Sequence, residues 1–258
     1  MAAHGSEPYA YDALFYEYIE PGALRSARAI VPIVIAATGC RSVLDVGCGA
    51  GAWLSEYAAR GIDDVLGVDG DYVDRALLLI PVEKFKTVDV SGPFAIGRRF
   101  DLVKCLETAE HVRPDASRTI VANLTAHGDR VLFSAAAPGQ GGEHHVNEQP
   151  YEFWRALFAE RQFVAFDAIR PLIPAAARVE PWYAYNTILY VHETASRGLP
   201  PAVQHARVPA GSPIADISPL TYRLRKAVLR RLPRAVVSRL AIVKHRLTAA
   251  RRGRRHGT

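Results

Sequence analysis

Between residues 10 and 195 the apolar positions switch between a spacing near 3.6 and a spacing of two, the periods of an amphipathic helix and of a strand. Residues 10–39 carry the helical spacing in Tyr11, Leu14, Phe15 and Tyr18, then in Leu24, Ala27, Ile30 and Val31, with Pro21-Gly22 predicted as a break. A strand is predicted at 42–46 and a helix over 51–60, closed by Gly61. Further strands follow at 64–68, 85–90, 100–106, 130–135, 163–169 and 187–192. A helix over 150–161 gathers Tyr151, Trp154, Leu157 and Phe158 on one face. This alternation predicts an α/β fold: a Rossmann-like, seven-stranded, mostly parallel sheet with helices on both faces.

The pattern changes near residue 195. Residues 196–218 hold Pro200, Pro201, Pro209 and Pro213 among Gly, Ser and Ala, and read as a linker. From 219 to 258 an apolar stripe returns (Leu220, Leu224, Val228, Leu232, Val236, Leu240, Val243, Leu247) under an arginine face, with a kink at Pro233. Three units are therefore predicted: a domain over 1–195, a linker over 196–218 and a basic amphipathic helical tail over 219–258.

Charge sharpens that division. The net charge is +6, but thirteen of the 32 Lys and Arg, and none of the 26 acids, fall at or after Ile217. The remainder holds 19 bases against 26 acids, a mildly acidic body. Cys40, Cys48 and Cys105 show no disulfide or metal spacing, and Met1 to Pro8 lack the pattern of a secretory signal. A reduced, cytoplasmic chain is expected.

The chemistry starts at the first strand, Val43-Leu44-Asp45-Val46, which runs into Gly47-Cys48-Gly49-Ala50-Gly51. A glycine-rich strand-to-helix turn lets a nucleotide-like ligand approach the backbone. Gly47-x-Gly49-x-x-Ala52 satisfies a dinucleotide fingerprint too, so the glycines alone leave NAD open. The acids separate the two. Asp69, twenty-two residues after Gly47, suits ribose hydroxyls in either case. Asp45 would repel a pyrophosphate but would accept from an ammonium. Asp89, in Val88-Asp89-Val90, could accept from an adenine amino group.

With these residues the chain resembles the class I S-adenosylmethionine-dependent methyltransferases, most closely small-molecule members of the type 11 and type 23 kind. The resemblance spans roughly residues 10–195. It rests on Leu44 to Gly51, on Gly67-Val68-Asp69, on Val88-Asp89-Val90, and on Phe100-Asp101-Leu102-Val103 leading into Leu106-Glu107-Thr108-Ala109-Glu110-His111. It implies S-adenosyl-L-methionine as cofactor, with Asp45, Gly47, Cys48, Gly49, Gly51, Asp69, Gly70, Asp89, Val90 and Leu106 around it. Structural roles stay open for some of these: Cys48 as loop filler, Gly51 for helix packing. Asp71 reads as a helix cap.

The segment after the fourth strand should face the transferred methyl group. Glu107, Glu110 and His111 are spaced to meet in one helical turn. They resemble the metal-binding stretch of O-methyltransferases of the quinone and RNA-end type, which implies a divalent ion such as Mg on Glu107, Glu110 and His111. Metal-free relatives use Glu-His here to orient substrate, so both readings stand. The next loop, Pro138 to Gln149, is rich in glycine and is expected to be mobile. It offers His145 as general base or further ligand, beside catalytic candidates His111 and Glu110. Trp182, Tyr183, Tyr185 and Asn186 are candidates for a substrate pocket, Trp154 for core, His127 for a helix end, and Arg25-Ser26 for the cofactor carboxylate.

The expected activity is methyl transfer to a hydroxyl of a small molecule or glycan. An NAD-dependent oxidoreductase and a non-catalytic adapter acting through the tail are the alternatives. The tail lacks interleaved aromatics, which argues against nucleic acid. Its stripe under arginines suits an anionic membrane surface instead.

Overall fold

The computed structural model describes residues 13–233, 236–239 and 241–242. Tyr11, the side chains of Leu14, Phe15 and Tyr18, and residues 243–258 of the expected tail lie outside the described residues. The elements run α1 (Ala13–Thr38), β1 (Ser42–Val46), α2 (Ala52–Ala58), β2 (Asp64–Asp69), β3 (Phe85–Thr87), β4 (Leu102–Leu106), α3 (Ser117–His127), β5 (Arg130–Ser134), α4 (Tyr151–Ala159), β6 (Phe163–Phe166), α5 (Pro181–Asn186), β7 (Ile188–His192), α6 (Glu193–Ser196), α7 (Pro201–His205) and α8 (Leu220–Leu229).

One seven-stranded sheet has the order β3-β2-β1-β4-β5-β7-β6. Its first five strands pair in parallel, and β7 runs antiparallel to both β5 and β6. The central strands are mostly apolar because helices cover both faces, with Asp45 of β1 and Lys104 of β4 as buried charged exceptions. Ile30, Val31, Val34, Leu54 and Tyr57 fill one layer, and Ile120, Leu124, Trp154 and Phe158 the other.

Several boundaries differ from the sequence reading. The break at Pro21-Gly22 does not occur: α1 runs through Pro21 and Pro32. A proline inside a helix costs about 3 kcal/mol. The buried stripe Ala23, Ala27, Ile30, Val31 and Val34 outweighs it, and the Ser26 hydroxyl donates to the Gly22 carbonyl at 2.8 Å. The third strand stops at Thr87 because the Asp89 carboxylate accepts from the amide and hydroxyl of Ser91, turning the chain. Asp74, not Asp71, caps the next short turn, accepting from the Ala76 amide.

Residues 196–218 are bound to the body rather than free. Leu199, Val203 and Ile214 are buried, the Val208 amide donates to Ala165 of β6 at 2.9 Å, and Arg207 pairs with Glu193. The segment also holds the short helix α7, so its proline-rich composition excludes neither regular structure nor packing. Trp182 to Asn186, the pocket candidates, lie in the short helix α5.

Candidate active site

The chain leaves β1 toward β2 and returns on the other side at β4, so a crevice opens at the carboxyl ends of these two strands. The turn after β1 is anchored by the amides of Gly47 and Cys48, which both donate to Val68 at the end of β2. Gly47 has φ +76°, and a Cβ there would lie 2.3 Å from the Thr108 side chain. The loops after β1 and β4 therefore touch at a point that only glycine permits.

Two acids face this crevice, and both already hold internal partners. Asp69 ends β2, nearly buried; one oxygen accepts from the Gly49 amide at 2.7 Å, the other from the Gly70 amide at 2.8 Å and from the Tyr72 hydroxyl. Burial pushes its pKa up against the pull of those donors. Asp45 is wholly buried beside its register partner Lys104, whose ammonium donates to Oδ1 at 2.7 Å. That ammonium also lies 5.0 Å from the centre of the Trp53 ring. Oδ2 of Asp45 has no partner among the described residues. Burial raises the Asp45 pKa, and Lys104 opposes that rise.

The acceptor side is built by two loops. After β4 the chain does not form the expected helical turn. Glu107 adopts φ +52°, and tight turns follow in which the His111 amide donates to Thr108 and the Val112 amide to Ala109. Glu107 accepts from Gln140 Nε2 at 2.7 Å and from Asn186 Nδ2 at 3.2 Å. Its pKa is nonetheless raised by burial. Glu110 is fully buried, and neither carboxylate oxygen finds a donor among the described residues. Burial, with Glu107 beside it, pushes its pKa well above the usual range.

The second loop is tied down, against the expectation of mobility. The amides of Val146 and Asn147 both donate to the Glu110 carbonyl at 2.9 Å, and buried Asn147 donates to the Ser117 hydroxyl at 2.9 Å. Glu148 accepts from the Gly139 and Gly141 amides at 2.7 Å and from His145 Nδ1 at 2.9 Å. Held this way, the His145 ring meets His111 edge-on at 4.9 Å. Burial, with His145 adding, pushes the His111 pKa down to about 3, so its imidazole is neutral.

Ligand atoms of Glu110, His111 and His145 lie within 4.8 Å of one another. His145, expected as a base or further ligand, thus lies with Glu110 and His111, while the Glu107 carboxylate is bonded to Gln140 and Asn186. A buried carboxylate without a donor, facing two imidazoles, fits a divalent cation.

The remaining candidates divide. Leu106 ends β4 at the crevice, Gly49 lies in the turn after β1 with Gly51 at the start of α2, and Tyr72 folds back over Gly70. The Cys48 thiol packs toward Gly67 in the core, as loop filler. Asp89 is exposed at its own turn, followed by half-buried Val90. Arg25 pairs with Glu180 at 2.9 Å instead of presenting itself to a ligand. Trp154 is core, and His127 ends α3 with its ring bound to Asn123 and Ile96. Lys104, Tyr72, Gln140 and Glu148 were missed. A lysine inside the apolar run Leu102 to Leu106 was the available signal, because a buried lysine requires a partner.

A sheet of this order with its crevice at the β1–β4 switch point defines a Rossmann-like α/β domain. A family model described as a methyltransferase domain, Methyltransf_23, matches residues 15–171, and the chain belongs to that family. Ubiquinone biosynthesis O-methyltransferases from Proteus mirabilis (strain HI4320) and Photorhabdus laumondii are 37% and 38% identical over 103 residues. The match covers 36% of this chain and 41% and 42% of theirs, about two fifths of the length of these relatives. A sugar N-methyltransferase from Streptoalloteichus sp. ATCC 53650 superposes with a TM-score of 0.49 at 18% identity, over 74% of this chain and 99% of that one.

Proposed function

We propose that this chain binds S-adenosyl-L-methionine in the β1–β4 crevice and directs its methyl group to a hydroxyl of a small molecule or glycan. The observation that carries the reading is the cluster at the switch point: Glu110, fully buried with no donor to either oxygen among the described residues, has ligand atoms within 4.8 Å of those of His111 and His145. Membership of a methyltransferase domain family displaces the NAD alternative.

The cofactor supplies a sulfonium-bound methyl carbon that passes to the acceptor oxygen as the sulfur becomes a neutral thioether. The chain does the positioning. Gly47 lets the cofactor close on the backbone, Asp69 offers its carboxylate to ribose hydroxyls once Tyr72 yields, and the free Oδ2 of Asp45 accepts from the cofactor ammonium. Most of the rate then comes from holding the acceptor oxygen on the methyl axis.

A divalent ion held by Glu110, His111 and His145, with Glu107 beside them, would lower the pKa of the acceptor hydroxyl. Two imidazoles and one carboxylate suit a softer ion than the magnesium first expected, which prefers oxygen donors. Glu148 fixes the ring of His145, as outer partners of metal-bound histidines do. Without the ion, the acceptor hydroxyl would give its proton to His145, whose ring Glu148 orients.

A second observation bears on location. Leu220, Leu224 and Val228 of α8 are 66%, 59% and 59% exposed, an outward apolar stripe in a segment with no acid after Asp216. It supports docking on an anionic membrane surface.

Titration calorimetry tests the core reading. S-adenosylmethionine should bind and NAD should not; the reverse result overturns it. Glu110→Ala and His111→Ala should keep cofactor affinity, lose Mn2+ binding seen by electron paramagnetic resonance, and lose transfer of labelled methyl groups into a small-molecule extract. Normal transfer in both variants refutes the assignment of the cluster.

A further inference from the structure

The segment from Leu220 onward does not trail from the body. Its inner face docks on the loop that carries His145. Arg225 Nη1 donates to the Gln140 carbonyl at 2.8 Å, Lys226 pairs with Asp216 at 2.6 Å, and the Tyr222 ring packs edge-on against Tyr185 at 5.4 Å. Contact is close at Gly139, where φ is +83° and a Cβ would lie 2.2 Å from the Lys226 carbonyl and 2.4 Å from Arg230 Cγ. The family match ends at residue 171, so the strap lies outside the matched residues.

Strap and loop enclose a cavity of about 220 Å3. Pro138, His145 and Glu148 form the loop wall, and Leu229, Arg230 and Val237 the strap wall. The Glu148 carboxylate is turned toward His145 and two backbone amides, which take up its acceptor sites. Arg230 is exposed and makes no ion pair among the described residues, and it shares the strap wall with Leu229, Leu232, Val237 and Ser238.

We propose that this cavity is the acceptor pocket and that Arg230 is its anion subsite. The acceptor places its hydroxyl toward His145, its apolar body against Leu229 and Val237, and a carboxylate or phosphate group on the Arg230 guanidinium. An exposed guanidinium beside apolar walls favours such a ligand through charge-assisted hydrogen bonds. This rests on the methyltransferase reading and adds the class of substrate to it.

Ligand-observed NMR titration of the full chain, with S-adenosylmethionine affinity measured on the same samples, tests the proposal. Benzoate, phenyl phosphate and phenol serve as carboxylate, phosphate and neutral probes. At least one anion should bind tenfold or more tighter than phenol, and whichever does identifies the anionic group. Arg230→Gln should abolish that preference while leaving phenol and cofactor affinity unchanged. Gly139→Ala should undock the strap, weaken all three probes and speed tryptic cleavage after Arg225. Equal affinities in the wild type, no binding of any probe, or a preference that survives Arg230→Gln overturns the subsite. Loss of cofactor binding by the wild type would instead overturn the methyltransferase reading.

Discussion

Lys104→Met should destabilise the fold by about 4 kcal/mol at pH 7, with a pH dependence that identifies the cause. Lys104 and Asp45 are 2% and 0% exposed and 2.7 Å apart, so removing the ammonium leaves a buried carboxylate with no partner on either oxygen. Methionine fills the stem of the lysine, which limits the cavity term. The carboxylate escapes by taking a proton. From an ordinary aspartate pKa near 3.9, holding a proton at pH 7 costs roughly three units at about 1.4 kcal/mol each. That agrees with the 3–5 kcal/mol typical of breaking a buried ion pair from one side. The sign follows from the raised folded pKa of Asp45 in the variant: the penalty is absent below the unfolded pKa and grows as pH rises. At pH 5 it should fall to about 1.5 kcal/mol. Urea unfolding followed by circular dichroism reads this as a midpoint lowered by more than about 1 M at pH 7 and by under half that at pH 5. The double variant Lys104→Met/Asp45→Asn should recover at least half of the loss. A loss below about 1 kcal/mol at pH 7, or an equal loss at both pH values, would refute the reasoning.

Gly47→Ala forces a left-handed residue and a contact with Thr108, costing about 3 kcal/mol and roughly 6–12 °C in melting temperature; an unchanged melting curve would show that the two loops are not in contact. Leu224→Asp with Val228→Asp should abolish co-sedimentation with phosphatidylglycerol vesicles while sparing cofactor binding. Retained co-sedimentation would remove the apolar stripe from membrane docking.

The alternation of elements and the acids at strand ends were legible because both arise from local pattern: period two, period 3.6, and a polar residue where an apolar run stops. Pairings across the sheet were not. Lys104 and Asp45 are 59 residues apart, and no window of sequence brings them together. In the sequence Asp45 awaits a ligand cation, because its internal partner Lys104 lies on another strand. Glu107 departs from the sequence expectation for a different reason. Spacing of three and four promises one helical face, but Gln140 and Asn186 draw its carboxylate away and hold the backbone at φ +52°. The C-terminal helix shows the same limit with the opposite sign. Its apolar stripe is real, yet Leu220, Leu224 and Val228 face outward, while Tyr222, Arg225 and Lys226 make the contacts with the body. Hydrophobic periodicity locates a helix face; it does not say whether the body or another surface covers it.

The two halves of the crevice are satisfied unequally, and that asymmetry bears on how they would work. On the cofactor side, Lys104 stands on Asp45 and Tyr72 stands on Asp69, each donating the kind of bond that a ligand ammonium or hydroxyl would donate. A ligand hydroxyl at Asp69 exchanges with existing bonds and gains little, whereas Oδ2 of Asp45, without a partner among the described residues, is left for one ligand donor. On the acceptor side the reverse holds. Glu110 is buried and its carboxylate has no donor among the described residues, although the backbone around it is tied: its own carbonyl takes two amides, and Asn147 pins the turn to α3. The surrounding structure therefore holds an unfavourable group in place instead of relaxing around it, as sites organised for ligands do. The binding energy available to a cation or an acceptor hydroxyl is concentrated at Glu110, which makes that residue the point where loss of a side chain should separate chemistry from cofactor binding.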